Sequence, residues 1–293
     1  MMRSFALWKK ILYLLLITLS FVGLQDFCHK KTQGFTLAKA RSAQNHTKKQ
    51  SLDADKVTSL RPLLSQPFYF LKKGLQCYVF ISEDSNYVLK LFRWKELEPS
   101  RFSKLLPSSW TQSSTLQKQK KKELDFTSYQ IAWDALQEET GLIFLHLEKT
   151  QGLDISLCLY DPILVRHIVP ADDIEFLLQK KVEPFLPFFE ENKKCPETLF
   201  AFFTQLAQLL QSRVQKKISD SDISLQYNMG IHKGSPVLFD IGNLTKIEKD
   251  DHSFQENLEY QARLILEWLA EHSPELETFF RQKLYPETSC EKP

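Results

Sequence analysis

Three short runs of aromatic and β-branched residues follow one another early in the chain, and polar residues separate them. Lys72-Lys73-Gly74 lies between the first two runs, and four polar residues from Glu83 to Asn86 lie between the second and the third. Short apolar runs bounded by turn-forming residues are typical of strands. We therefore predict a three-stranded antiparallel meander made of Phe68–Leu71, Cys77–Ile81 and Tyr87–Phe92.

A helical pattern follows from about Gln117 to Glu139, where apolar residues recur every three to five positions. Gly141 ends this helix, and the runs Leu142–Leu147 and Ile155–Tyr160 predict two more strands. The expected result is a five-stranded antiparallel sheet with one helix, which would form the N-lobe, 65–160, of an α+β protein.

The rest of the body is predicted to be mainly helical. The strongest pattern runs from Glu197 to Lys217, and a last helical pair is expected at Phe254–His272 and Glu275–Leu284. Asp172 or Asp173 could cap a further helix that buries Leu177. These elements predict a helical C-lobe over 161–285, followed by a short tail, 286–293.

The chain begins with an apolar run, Ile11–Leu24, preceded by basic residues. A helix of this length would reach about 21 Å, which is short of a hydrocarbon layer of about 30 Å. We expect residues 1–28 to be a signal or a membrane anchor, with a buried apolar helix as the third alternative, and residues 29–64 to be a polar linker. Lys and Arg flank the run on both sides, so the side of the membrane is undetermined. The protein would be anchored by this single segment or exported.

Charge is unevenly distributed although the whole chain has a net charge of only +2. The first 50 residues carry nine bases and one acid, so the remaining 243 residues hold 29 bases and 35 acids. A mildly acidic body argues against nucleic-acid binding, which needs a cationic surface. The five cysteines are too scattered for a disulfide scaffold, and none forms the C-x-x-C pair of a zinc site.

Glycine, carboxylates and a carboxamide are concentrated between the two strongest helices. Three of the eight glycines fall within positions 230–242, in a segment that also contains Asp220, Asp222, Asn228 and Asp240. Such a concentration indicates tight backbone turns around oxygen-bearing side chains.

The order of these parts over roughly 65–285 resembles the protein-kinase-like fold, including its small-molecule kinase relatives. The resemblance implies a two-lobed protein with ATP and Mg²⁺ as cofactors and an unknown protein or small-molecule acceptor. Lys90 resembles the lysine that holds the phosphates, and Gly74 is the one glycine of the nucleotide hairpin. Asn228 and Asp240 resemble the magnesium ligands. Asp222 would be the catalytic aspartate, with Asp220 as second candidate.

The sequence also departs from the pattern of that family. The hairpin has one glycine where three are usual, no His-Arg pair precedes Asp222, and the step from Asp222 to Asn228 is one residue longer. No residue stands out as the helix glutamate that would pair with Lys90: Glu123 is early, and Glu138 and Glu139 lie near the helix end.

Each candidate residue has a plainer structural alternative. Lys90 would be an ordinary lysine of an edge strand, Asn228 and Asp240 would form turns, and Asp220 and Asp222 would cap a short helical turn. Three functions therefore stay open from the sequence: Mg-ATP phosphotransfer, a catalytically degenerate pseudokinase that binds a nucleotide or a partner, and a membrane-linked interaction protein without nucleotide binding. Catalysis would favour the cytoplasmic face, where ATP is abundant.

Overall fold

The computed structural model describes residues 2–41, 54–93, 108–220, 222–247 and 253–286. The chain divides into two compact units. Unit 1 comprises Met1–Glu83, Lys90–Glu96 and Glu148–Glu175, and unit 2 comprises Asp84–Leu89, Leu97–Leu147 and Phe176–Pro293.

The protein is a mixed α/β structure. Its helices are α1 (Met2–Lys31), α2 (Leu37–Ala40), α3 (Ala54–Leu64), α4 (Ser108–Ala135), α5 (Gln137–Thr140), α6 (Phe185–Asn192), α7 (Pro196–Gln215), α8 (Phe254–His272) and α9 (Pro274–Leu284). Its strands are β1 (Pro67–Lys73), β2 (Cys77–Ser82), β3 (Tyr87–Phe92), β4 (Leu142–His146), β5 (Ser156–Tyr160), β6 (Arg166–Pro170), β7 (Phe176–Lys180), β8 (Glu183–Pro184), β9 (Ile218–Asp220), β10 (Met229–His232), β11 (Ser235–Leu238) and β12 (Leu244–Lys246).

The main sheet has seven strands in the order β4-β7-β3-β2-β1-β5-β6, so the five-stranded antiparallel sheet expected from the sequence is not matched. β1 and β2 pair antiparallel as predicted, but β1 and β5 pair in parallel, with Phe68 opposite Leu159. β5 and β6 form an additional antiparallel hairpin at this edge. A parallel partner 91 positions away along the chain leaves no mark in the local sequence pattern.

The helix expected after Asp173 is also wrong, because Phe176–Lys180 forms strand β7 and pairs with β4. Four successive residues, from Phe176 to Gln179, are buried. A strand covered on both faces has a continuous apolar pattern rather than an alternating one, and short patterns of this kind do not distinguish a strand from a helix.

Unit 1 closes around the segment that follows α1. Gly34 adopts a left-handed conformation, φ +70°, and its N–H donates to His29 O, which ends α1. The chain then buries Phe35 against Phe70, Tyr78, Phe80 and His167, with ring centroids 5.0–6.0 Å apart. In the described part of the predicted linker, α2 and α3 form, and Leu60 and Leu64 are also buried.

Helix α1 is long and apolar enough over Leu12–Lys31 to cross a membrane, and none of this stretch is buried. Twenty residues at about 1.5 Å each span about 30 Å. Length and composition of this kind also occur in a signal sequence.

Unit 2 has a helical core that matches the prediction for the end of the chain. Helices α7, α8 and α9 lie within two residues of the predicted bounds at every end. Their apolar faces enclose Phe202, Phe203, Leu206, Ile265 and Phe280, all fully or almost fully buried. The hairpin β10–β11 lies against this core, since Met229, Ile231 and Leu238 belong to the same cluster.

Candidate active site

A hairpin brings Asn228 and Asp240 to the same place in unit 2. β10 and β11 pair antiparallel, with Met229 opposite Leu238. Asn228 immediately precedes β10, and Phe239 immediately follows β11; the N–H of Phe239 donates to Asn228 O at 3.1 Å. Asp240 is the next residue. The open end of one hairpin thus carries two of the predicted metal ligands.

Gly230 fixes this hairpin against β8. It pairs with Pro184, and a Cβ added to Gly230 would lie 2.8 Å from Glu183 O and 2.7 Å from the Cβ of Val182. No side chain fits there without moving backbone. The clustered glycine noted in the sequence therefore allows a close approach of two strands.

A second pairing brings Asp220 to the segment after Asp240. β9 and β12 pair antiparallel, with Asp220 opposite Leu244. Ser128 of α4 holds the same segment from the other side: its Oγ donates to Ile241 O at 2.5 Å and accepts from the N–H of Leu244 at 2.7 Å. The Asp240 loop is thereby held between a helix and a strand.

Asp220 is the buried acid of the cluster, with 5% of its surface exposed. Its carboxylate accepts from Arg213 Nη1 at 3.3 Å and from the N–H of Asp222 at 3.1 Å. Burial raises the pKa of Asp220 and the negative charge of Asp240 raises it further, whereas Arg213 and the Asp222 N–H lower it; the net shift is upward. Asp220 thus orients the start of the loop that carries Asp222.

Arg213 links this acid to helix α5. The guanidinium is completely buried and also donates to Glu139 Oε2 at 3.1 Å. Lys216 donates to the other oxygen of Glu139 at 2.6 Å. In the part of the chain that the structure describes, Nη2 of Arg213 is buried without a hydrogen-bond partner.

Three oxygen-bearing groups at this site retain acceptor capacity. Asn228 donates through Nδ2 to Asp222 O, and among the described residues no group donates to its Oδ1. The exposed carboxylate of Asp222 accepts no hydrogen bond from the described residues, and the exposed carboxylate of Asp240 accepts one, from the N–H of Gly242 at 3.2 Å. These atoms are available for a cation or a substrate hydroxyl.

Asp125 is a buried acid that the sequence analysis missed. It lies on α4 with 5% of its surface exposed. Burial raises its pKa, Lys121 lowers it and the negative charge of Asp240 raises it, with a net upward shift. The signal that would have found Asp125 is its position: Ser128, Tyr129 and Ala132 follow on the same face of α4 and are all buried.

Lys90 and Gly74 belong to unit 1, and their part in this site stays a prediction. Lys90 lies on β3 and is partly buried. Gly74 lies in the turn between β1 and β2, where its N–H donates to Cys77 O at 2.9 Å and its carbonyl accepts from Arg93 Nη1 at 2.8 Å. The Gly74 amide therefore already has a partner within the turn.

No family model and no curated protein matches the chain. Among solved structures, it is similar to a high-resolution crystal structure of WbdD, with a TM-score of 0.39, 12% identity, and coverage of 73% of this chain and 45% of that chain. The chain is also similar to a co-crystal structure of WbdD with the kinase inhibitor LY294002, with a TM-score of 0.35 and 13% identity over 73% of this chain and 45% of that chain. A medium-resolution structure described as the bifunctional kinase-methyltransferase WbdD has a TM-score of 0.34 and 14% identity, over 71% of this chain and 42% of that chain. The chain spans less than half the length of these proteins, and these values assign it to no family.

The donor set suits Mg²⁺ in one respect, since it consists of carboxylate and carboxamide oxygens. Mg²⁺ in phosphotransfer sites is held by one or two carboxylates together with substrate phosphates, not by a protein cage. No group of three or more His, Cys, Asp or Glu side chains among the described residues could hold a metal ion by itself. Asn228 Oδ1 and the Asp240 carboxylate are the atoms that would hold the ion.

Proposed function

We propose that this protein is a divergent kinase-like phosphotransferase that uses Mg-ATP. The observation that supports it is the arrangement within unit 2, where two strand pairings gather Asp222, Asn228 and Asp240 in one loop region. Their unsatisfied oxygens are of the kind that cation and hydroxyl binding require.

In this proposal Asn228 Oδ1 and Asp240 would hold Mg²⁺, which would neutralise negative charge on the phosphates. Lys90 contributes a cation for the phosphates. Asp222 accepts the proton of the acceptor hydroxyl while that oxygen forms its bond to the γ-phosphorus, and the bond between the γ-phosphorus and the bridging oxygen breaks to release ADP. Asp220 and Arg213 position Asp222 through its backbone N–H.

Nucleotide binding is the first test. Titration of the full chain in detergent with ATP and Mg²⁺ is expected to show saturable, Mg²⁺-dependent binding, which Asp240→Asn weakens by about tenfold or more because a charged ligand to the cation is lost. Asp134→Asn is the matched control, since Asp134 is a helix-surface acid on α4 that accepts from Gln130. Equal binding by the two variants would refute the assignment of Asp240.

Turnover is the second test and separates the active enzyme from a degenerate one. Asp222→Asn is expected to keep Mg-ATP binding and to reduce autophosphorylation or ATP hydrolysis by about 10²-fold or more, the usual loss for a general base. Tight binding by the native chain without turnover would instead identify a nucleotide-binding pseudokinase. Failure to bind ATP with or without Mg²⁺ would exclude both nucleotide functions.

The pH dependence of Mg-ATP binding has a defined sign. Because the pKa values of Asp125 and Asp220 are raised, these acids take up protons at a higher pH than ordinary carboxyls. The negative charge that these acids add to that of Asp240 is lost as pH falls through the raised pKa values, so the affinity for a cation held by Asp240 is expected to fall with it. The chain with Asp125→Asn is expected to show a flatter profile.

A further inference from the structure

An exposed apolar turn stands at one end of unit 1. The turn between β5 and β6 carries Ile163, Leu164 and Val165, which are 52%, 70% and 47% exposed. Contiguous apolar residues on a protein surface mark a site that contacts another protein or a membrane. We call these three residues the apolar tip.

The polar backbone of the apolar tip is satisfied from within. The buried carboxylate of Asp161 accepts from the N–H groups of Ile163 and Val165 at 3.0 and 2.9 Å. The carbonyl of Asp161 accepts from the N–H of Leu164 at 2.9 Å, and its own N–H donates to Val165 O at 3.1 Å. His167 Nε2 lies 3.1 Å from the second oxygen of the same carboxylate. Because the N–H groups of this turn are hydrogen-bonded within the turn, few donors lose a partner when it moves from water into lipid. Internal satisfaction of this kind is the condition for a backbone segment to enter lipid.

The end of the candidate membrane helix is fixed close to this turn. Phe35, four residues beyond α1, packs against the ring of His167 at 5.8 Å. His167 is three residues from Leu164, so the chain places the tip within about 10 Å of this contact. A second contact fixes the same place, because Tyr78 Oη donates to Gly34 O at 2.8 Å.

Basic side chains surround the same junction. The ammonium of Lys73 approaches Gly34, within 3.3 Å of where a Cβ would be, and Lys31 ends α1. Arg166 is exposed directly after the tip. Because β1 and β5 are parallel, the turn after β1, with Leu75 99% exposed, lies beyond the same end of the sheet. Basic residues next to exposed apolar ones are the pattern of a surface that binds anionic lipid.

We propose that the apolar tip inserts into the headgroup layer of the bilayer that α1 crosses, with Lys31, Lys73 and Arg166 against anionic headgroups. The occupant of this surface is therefore lipid, and α1 and the tip form one continuous membrane-facing surface. This inference depends on α1 as an anchor and is independent of the phosphotransfer proposal.

Photo-crosslinking tests the proposal in the full chain. A benzophenone amino acid replaces Leu164, Gln151 or Leu16 one at a time, and each protein is reconstituted into vesicles of phosphatidylcholine and phosphatidylglycerol. Gln151 is the matched control, since it is exposed in the loop before β5, at the other end of that strand. Lipid adducts are expected from positions 16 and 164 and not from 151. Ile163 provides a second probe position if the Leu164 variant does not fold.

The charge contribution is tested in the same vesicles. The double variant Lys73→Gln, Arg166→Gln is expected to lower the partition coefficient of the apolar tip into the headgroup layer by about 25-fold. Each basic residue near an anionic surface raises this coefficient by about fivefold. Adducts from position 16 without any from 163 or 164, equal yields from 151 and 164, or an absence of adducts from position 16 would each overturn the proposal.

Discussion

Replacement of Arg213 by methionine is expected to destabilise unit 2 more than any nearby change of charge. The guanidinium is fully buried and contacts two acids, Glu139 and Asp220. Glu139 keeps its pair with Lys216, but among the described residues the partner that Asp220 keeps is the N–H of Asp222. Loss of one partner from a buried ion pair costs about 3 to 5 kcal/mol, and the pair that remains on Glu139 places the expected value near 3 kcal/mol.

The matched control is Lys216→Met, which removes a partner of the same Glu139 carboxylate. Lys216 is 39% exposed, so its pair with Glu139 is screened by solvent and contributes at most about 1 kcal/mol. Urea unfolding of the full chain in detergent, followed by tryptophan fluorescence, measures both variants. The difference between them isolates the effect of burial.

The sign of the pH dependence gives a sharper test. The pKa of Asp220 is raised by burial even with Arg213 present, and removal of this cation raises it further. The pKa of such a carboxyl is higher in the folded protein than its unfolded value of 3.8. Its contribution to the free energy of unfolding is therefore complete below pH 3.8 and is lost as pH rises through the folded pKa. The penalty of Arg213→Met is therefore expected to grow with pH, and adding Asp220→Asn is expected to recover part of it.

Two results would refute this reasoning. Equal penalties for Arg213→Met and Lys216→Met would mean that the buried guanidinium has no special role. A penalty that does not change with pH would mean that Asp220 is not the acid left uncompensated.

Three further substitutions have defined outcomes. Ser128→Ala leaves the N–H of Leu244 without its 2.7 Å acceptor and is expected to lower the free energy of unfolding, measured in urea, by about 2 kcal/mol. An unchanged free energy of unfolding would mean that other contacts hold the Asp240 loop. Gly230→Ala forces backbone apart at Glu183 and is expected to cost at least about 2 kcal/mol by the same assay, whereas Gly23→Ala, with open space around it, should cost nothing. Gly34→Ala, at φ +70° and against His29, is expected to cost about 1 to 2 kcal/mol and to increase proteolysis after α1.

The helices and the first strands follow directly from the sequence because each has a pattern that is complete within itself. Helix α7 shows an apolar stripe along its whole length, and β1 and β2 are bounded by turn residues. The strand β7 and the parallel pairing of β1 with β5 do not follow, because burial on both faces hides the alternation and a distant partner sets the pairing.

Local sequence patterns likewise predict part of the candidate site. Asp222, Asn228 and Asp240 were singled out by their order along the chain, and the hairpin β10–β11 explains why that order places Asn228 and Asp240 together. Asp125 does not stand out in the sequence, because its role depends on which helix face it occupies and on Asp240, a neighbour 115 positions away. Arg213 was missed because a long basic side chain on an amphipathic helix is usually exposed.

The two hydrogen bonds of Ser128 join helix α4 mechanically to the loop that carries Asp240. A slide of the helix by one turn, about 5.4 Å, would break both bonds, so α4 and the loop must move as one piece or separate altogether. Linkage is reciprocal: a molecule that immobilises the loop also stiffens α4, and a partner that immobilises α4 acts on the loop in return. A single hydroxyl thus couples the position of α4 to the position of the loop that carries Asp240.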